Sequence, residues 1–368
     1  MKVRLGDVCD KASSSIIQKS LEKHEGKYPI YGASGLIKYV DFYQREKPYI
    51  AVVKDGAGIG RVMKLPAYSS VIGTMQYIIP NEKVDINYLV YSMEYMNLAK
   101  YFSGATIPHI YFRDYQKEPL NLPEIKVQKK IGGILSNIEK LIAFRNQELS
   151  KFDQLVKSRF IELFGDPVSN DKFWNLAILQ DVTSEIGSGA TPKGGKSSYQ
   201  KEGIPFIRSM NVHDGVFLSK DLAYLSDKQA KQLENVIVKE NDVLLNITGA
   251  SVARSCIVPK TVIPARVNQH VSIIRCIPKY LNPEFLNKLF LHHRYKNLLL
   301  SLGEAGGATR QAITKSQLEK LQIILPPLTL QNEFADFVQQ VDKSKLAVQK
   351  SLEKLEILKK SLMQQYFG

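Results

Sequence analysis

"LPEIKVQKKIGGILSNIEKLIAFRNQELSKFDQLVKSRFIELFG", residues 122–165, is answered at a constant offset of 203 by "LPPLTLQNEFADFVQQVDKSKLAVQKSLEKLEILKKSLMQQYFG", residues 325–368. The two align without a gap. Identical residues fill 11 of the 44 positions, including the closing pairs Phe164-Gly165 and Phe367-Gly368. An internal repeat of this length governs how everything between its copies is read.

After Pro123 and Pro327 the pattern is helical. Ile131, Leu135, Ile138, Ile142, Arg145, Leu149, Phe152, Val156, Arg159 and Leu163 alternate spacings of four and three, the seam of a coiled coil. The second stripe is Phe334, Val338, Val341, Lys345, Val348, Leu352, Leu355, Lys359, Leu362 and Tyr366. Each stripe is interrupted twice by a long basic side chain. A lone amphipathic helix about 60 Å long is unstable in water, so each stripe needs a partner. The nearest is the other copy. Gly132-Gly133 costs helix propensity and is expected to mark a bend.

The repeat extends upstream. Gly104-Ala105-Thr106 matches Gly307-Ala308-Thr309, and Ile110 matches Ile313, at the same offset. Further back, Pro80 matches Pro278, Pro29 matches Pro205, and "LGDV" at 5–8 matches "LQDV" at 179–182. The register drifts one way, so the second copy carries insertions. The expected organisation is α+β: a mixed head over 1–122, a long helix over 123–165, a second head over 166–325 and a second helix over 326–368. The helices are expected to pair with each other as a coiled coil in a pseudo-twofold repeat.

The formal net charge is +14, and the helical segments contribute 14 basic and 10 acidic residues, so most of the excess lies on the heads. A basic surface suits a polyanion. Three cysteines (Cys9, Cys256, Cys276) without a CxxC spacing point to a reducing compartment and away from structural zinc. No apolar run approaches a membrane span and "MKVRLGDVCD" has no signal-peptide core, so a cytoplasmic location is expected.

"GAGIGR" at 56–61 follows the apolar "YIAVV" and invites a phosphate-loop reading. Its counterpart, "GASVAR" at 249–254, keeps one glycine of three and the arginine, and neither turn runs on into a Walker GKS or GKT. A tight turn between strands explains both copies better. Other strand candidates are "MQYIIP", "DVLLNIT" and "HVSIIRCIP". Helix candidates are "NYLVYSMEYMNLAKYF" and "NPEFLNKLFLHHRYKNLLLSL". The loop "GSGATPKGGKSSYQKEG", 187–203, reads equally as a connector or as a phosphate-contacting arm.

Side chains able to grip phosphates or read base edges gather near the turns. In the first head they are Lys54, Arg61, Lys64, Tyr68, His109 and Arg113. In the second they are Lys193, Lys196, Arg208, Asn211, Arg254, Arg266, Asn268, Gln269, His270, Arg310 and Gln311. Catalytic motifs are missing: there is no Asn-Pro-Pro-Tyr or Asp-Pro-Pro-Tyr element, HExxH or GxSxG. His292-His293 makes a poor metal site, because neighbours on a helix face different ways. No catalytic and no metal-binding residue is assigned.

"GATIPHIYFRDYQKEPLNLPEIKVQ" (104–128) and "GATRQAITKSQLEKLQIILPPLTLQ" (307–331), each closing a head and opening a long helix, resemble the specificity (S) subunit of type I restriction–modification enzymes. The openings "VRLGDVCDK" and "LAILQDVTSEIGSGATPKGG" resemble the starts of that family's target recognition domains. The resemblance covers the whole chain. It implies that each head reads one half of a split, asymmetric site on double-stranded DNA. It implies that the two helices form an antiparallel coiled coil that fixes the gap between half-sites. It implies partnership with two DNA-adenine methyltransferase (M) subunits and with restriction (R) subunits. S-adenosylmethionine, ATP and magnesium then belong to the partners, with no cofactor and no catalysis in this subunit. Two other readings, a protein-binding coiled-coil scaffold and an RNA-binding protein, lack a motif of their own; no aromatic RNP element is present.

Overall fold

The computed structural model describes residues 1–104, 108–304 and 311–368. The chain gathers into two compact units, neither a continuous stretch: Met1–Glu148 with Val348–Gly368, and Leu149–Ala347. Each is a head with antiparallel segments of both long helices.

In the first unit the head runs β1 (Lys2–Arg4), β2 (Cys9–Ser13), β3 (Tyr28–Gly32), β4 (Gly35–Val40), β5 (Tyr49–Val53), β6 (Val62–Leu65), β7 (Ser70–Val71) and β8 (Met75–Pro80). Helix α1 (Ile86–Tyr95), the single turn α2 (Phe112–Tyr115), β9 (Pro119–Asn121) and the long α3 (Ile125–Phe164) follow. An antiparallel sheet has the order β2-β8-β5-β6, and a smaller one the order β4-β3-β7 with β3 and β7 parallel. Strand β5 is buried throughout because it faces two cores. Ile50 and Val52 point to the helices, and Tyr49, Ala51 and Val53 to the opposite cluster.

The second head repeats this plan. Its strands are β10 (Leu176–Ile178), β11 (Thr183–Ser188), β12 (Ile204–Ile207), β13 (Val212–His213), β14 (Val216–Phe217), β15 (Ala223–Leu225), β16 (Ile237–Val238), β17 (Val243–Asn246), β18 (Ser255–Ile257), β19 (Ala265–Val267), β20 (Val271–Cys276) and β21 (Gln322–Ile324). Its helices are α4 (Asp227–Lys231), α5 (Pro283–Leu291), α6 (His293–Glu304), α7 (Lys315–Glu319) and the long α8 (Leu328–Phe367). The order β11-β20-β17-β18 matches β2-β8-β5-β6, and β12 pairs in parallel with β19 as β3 does with β7. The hairpin β13–β14 and the edge strand β16 are among the second copy's additions.

Both pairs of matching prolines fall in place: Pro29 in β3 and Pro205 in β12, Pro80 at the end of β8 and Pro278 two residues after β20. The helix candidates are shorter than their patterns. The first stops before Asn97, which turns left-handed at φ 51°. The second breaks at His292, where extended backbone separates α5 from α6.

In the first unit Ile131, Leu135 and Ile138 of α3 are buried, and Leu362, Met363, Tyr366 and Phe367 of α8 pack against the same head core. In the second unit Phe334, Val338 and Val341 of α8 are buried, and Val156, Phe160, Leu163 and Phe164 of α3 join them. Each helix therefore begins on its own head's core and ends on the other copy's. Antiparallel direction follows from the ion pairs inside the second unit: Lys345 reaches Asp153 (2.6 Å) and Arg159 reaches Glu333 (2.7 Å). In the first, Lys359 bonds Glu139 (2.5 Å). Arg145 pairs with Glu148 of its own helix. The basic interruptions are thus half-buried stems with paired heads. Ile142, Leu149, Phe152, Val348, Leu352 and Leu355 are half-buried, because two helices cover only one side of each other. Where a helix end meets a head, the most buried side chains move one place beyond the stripe, to Phe160 and Met363.

Gly132 answers to packing: a Cβ there would sit 2.8 Å from Asn87 Cβ and 2.9 Å from Tyr88 N at the start of α1, so only glycine lets the helices approach. One turn earlier a buried glutamine fastens each long helix. Gln128 accepts from Asp85 N and donates to the Lys83 and Pro123 carbonyls. Gln331 accepts from Asn282 N and donates to the Tyr280 and Pro326 carbonyls.

Candidate nucleic-acid interface

The β5–β6 and β17–β18 turns have the same hydrogen bonds. Val53 N donates to Arg61 O, Gly60 N to Val53 O, Ile59 N to Gly56 O and Arg61 N to Gly58 O. In the second head Asn246 N donates to Arg254 O, Ala253 N to Asn246 O, Val252 N to Gly249 O and Arg254 N to Ser251 O. Four of the turn's amides, those of Gly56, Ile59, Gly60 and Arg61, are committed to carbonyls, which speaks against the nucleotide-loop reading of "GAGIGR". Gly60 (φ 80°) is matched by Ala253 (φ 64°), so the second head holds a left-handed conformation with an ordinary residue.

Two further segments meet each turn. The strap after the Gly-Ala-Thr element crosses it: Gly56 N donates to Pro108 O and Ile110 N to Lys54 O. Likewise Gly249 N donates to Gln311 O and Ile313 N to Ile247 O. The residue before β8 or β20 closes the other side, Lys54 N donating to Thr74 O and Ile247 N to His270 O. Three loops distant in sequence thus converge at one end of each main sheet.

In the first head this juncture is ionic. Asp55 pairs with Lys54 (2.6 Å) and with His109. His109 packs on Tyr111 (4.1 Å between centroids), and the exposed Arg113 lies 4.6 Å over the Tyr111 ring. Arg61 is exposed and donates to Ala33 O (2.8 Å). Lys64 is drawn to Asn87 on α1 (2.6 Å), and Tyr68 belongs to an aromatic group with Tyr43 and Tyr28. Neither joins the juncture.

In the second head the juncture is neutral. Thr191 donates to Gln269 Oε1 (2.5 Å), Gln269 Nε2 lies 3.2 Å from His270 Nε2, and His270 Nδ1 lies 2.5 Å from Thr248 Oγ1. Gln311 is held by Glu304 (2.8 Å). Lys193 is exposed on the Gly-Ser-Lys loop, and Arg254 is half-buried at the turn.

Three expected base readers are structural instead. Arg266 is 8% exposed, donates to the Ala230 and Ala265 carbonyls, and has its pKa lowered by burial. Asn211 is fully buried, capping a turn at Arg208 and donating to Leu218 O. Asn268 is buried and accepts from His270 N. Arg208 is held by Asp221 O and lies over Tyr199. Each looked available because polar type says nothing of which side of a strand end a residue occupies. Arg310, with Thr106 and most of both Gly-Ala-Thr elements, lies outside the described residues, and the structure does not define the Lys196 side chain.

Sequence reasoning missed Asp55, Thr74, Thr191, Thr248 and Tyr111. The signal for Asp55 and Thr248 was their place in the aligned turns, for Thr191 its place in the loop 187–203 and for Tyr111 its place in the element 104–128; Thr74 had none. The cysteines offer no nucleophile: all three are buried, and burial pushes each thiol up to about 12. His292 stacks on Phe160 (5.7 Å), and burial, then His293, lowers its pKa.

A family model described as the type I restriction modification DNA specificity domain matches residues 1–152 and 173–358. The chain belongs to that family. Its two matched stretches are the two copies of the repeat. A relative from Methanocaldococcus jannaschii, the type I restriction enzyme MjaVIII specificity subunit, is 23% identical over 98% of this chain and 90% of its own length. The type I restriction-modification S subunit from M. genitalium has the same fold, with a TM-score of 0.70, 14% identity, and coverage of 100% of this chain and 96% of that one. A chain from a structure on complex assembly and conformational transition of the type I R-M system gives a TM-score of 0.56 at 18% identity, covering 100% of this chain and 97% of the other. Among the described residues no helix is long and apolar enough to cross a membrane.

Proposed function

We propose that this chain is the DNA-reading subunit of a type I restriction–modification complex, each head recognising one half of a bipartite, asymmetric site. The observation that carries the reading is the three-loop juncture built twice with the same backbone bonds and different side chains: one scaffold, two specificities. Phosphate contacts come from exposed lysines and arginines such as Lys193 and Arg113, and base contacts from the juncture. Methyltransferase subunits dock on the helices, where Leu155 and Leu358, equivalent at the offset of 203, are 47% and 46% exposed. Restriction subunits join this assembly. S-adenosylmethionine, ATP and magnesium serve the partners, and the complex works in the cytoplasm.

The test is selection of random duplex DNA by the chain assembled with its methyltransferase. The expected result is a motif of two unrelated halves around a fixed gap. Selection of no motif, or of RNA over DNA, overturns the reading. Lys193→Ala with Lys196→Ala is expected to weaken binding to all sequences alike and to flatten the salt dependence by about 0.9 in slope for each lost phosphate contact.

A further inference from the structure

We infer that Gln269 is a specificity-determining residue of the second head and reads an adenine in the major groove of its half-site. This rests on the DNA-reading function proposed above. The Gln269 side chain is exposed at the juncture, yet its amide is clamped from two loops. The hydrogen bonds form an ordered chain. Thr191 O–H donates to Gln269 Oε1. Gln269 Nε2–H donates to His270 Nε2, which must then be the unprotonated ring nitrogen. His270 Nδ1–H donates to Thr248 Oγ1. Thr248 is fixed by its backbone pairing with Ala312 across the turn.

A primary amide has two donor hydrogens and two acceptor lone pairs. Thr191 and His270 use one of each. One donor and one acceptor remain, the two kinds of group that adenine N7 and N6–H₂ require. Hydroxyls and a neutral imidazole can exchange donor and acceptor roles, so the chain can run in either sense, and in both one donor and one acceptor of the amide are left over. The clamp holds the amide in place, so less rotamer entropy is lost on binding than by a free glutamine. Thr191 and His270 are therefore positioning residues.

The first head cannot do this. By their backbone bonds to the turn, Thr74 answers His270, which sets Gly73 opposite Gln269. Its juncture carries the Lys54–Asp55 ion pair and the Asp55–His109 contact instead. Only one half of the motif should depend on Gln269.

The experiment repeats the selection with the assembled complex carrying Gln269→Leu, Gln269→Glu, or Thr191→Val with His270→Phe. Gln269→Leu is expected to lower preference for one adenine in one half-site by about 5- to 150-fold, leaving the other half and binding to unrelated DNA unchanged. Gln269→Glu, which offers only acceptors, is expected to move that position toward cytosine. The Thr191/His270 variant is expected to weaken the same preference by less, with no change of preferred base. An exposed side chain tolerates these changes, and an unaltered opposite half-site reports an intact assembly. If Gln269→Leu and Gln269→Glu select the unchanged motif, Gln269 reads no base, although the two-head function stands. If the unsubstituted complex selects no motif, both readings fall.

Discussion

The two heads share a backbone and differ in chemistry. The same four turn bonds and the same strap bonds occur in each, yet one juncture is held by Lys54, Asp55 and His109 and the other by Thr191, Gln269, His270 and Thr248. Since the backbone amides and carbonyls satisfy each other, the side chains above them are free to vary without disturbing the sheet. That is how one unit can be copied and given a second specificity.

The comparison breaks most completely if the equivalent core positions behave differently. Leu135 and Val338 correspond at the offset of 203, and both are essentially unexposed. Leu135→Asp and Val338→Asp are each expected to cost more than about 3 kcal/mol by placing a carboxylate among apolar neighbours. Hydrogen exchange resolved by unit should show each change loosening its own unit first. Equal loosening of both by either substitution would mean that the units do not open separately.

The glutamine fasteners come next. Gln128→Leu and Gln331→Leu each strand two carbonyls and one amide. A loss of about 1–3 kcal/mol for each stranded group that water cannot reach is expected, alike in the two units by denaturant unfolding.

The turns should diverge. A Cβ at Gly60 would lie 2.4 Å from Ala99 N, so Gly60→Ala is expected to cost about 1–3 kcal/mol. Ala253→Gly removes a side chain already held at positive φ and should change stability by less than about 1 kcal/mol. A tolerated Gly60→Ala, measured by melting, would show that Ala99 can move.

The smallest effect concerns pH. Burial, then His293, lowers the His292 pKa, so as pH falls the unfolded chain takes up this proton before the folded one. The contribution to the second unit is full above the ordinary imidazole value of 6.5 and declines as pH drops through it. In the first unit Tyr95 takes the place of His292, counted from the matching helix caps Asp85 and Asn282. His292→Gln should flatten the acid response of the second unit alone, followed by hydrogen exchange between pH 7 and 5.

The sequence by itself determined the repeat, the long helices and the strand-to-strand turns. Periodicity and equal spacing are local properties, and "LPEIKVQ" and "LPPLTLQ" carry the helix starts in their own residues. The match of Pro29 with Pro205 also sets β3 against β12. The candidate site was legible only in outline. Arg61, His109, Gln269 and His270 stand at the junctures, but Arg266, Asn211 and Asn268 are spent inside the head. Residue type could not show this, because whether a polar side chain meets solvent or a backbone group depends on how its loop folds back, as Arg266 does onto the Ala230 carbonyl 36 residues away. The tertiary structure alone decided that each long helix ends on the other copy's head. Phe164 and Phe367 are the same residue in the repeat, and nothing local in either says which core will bury it.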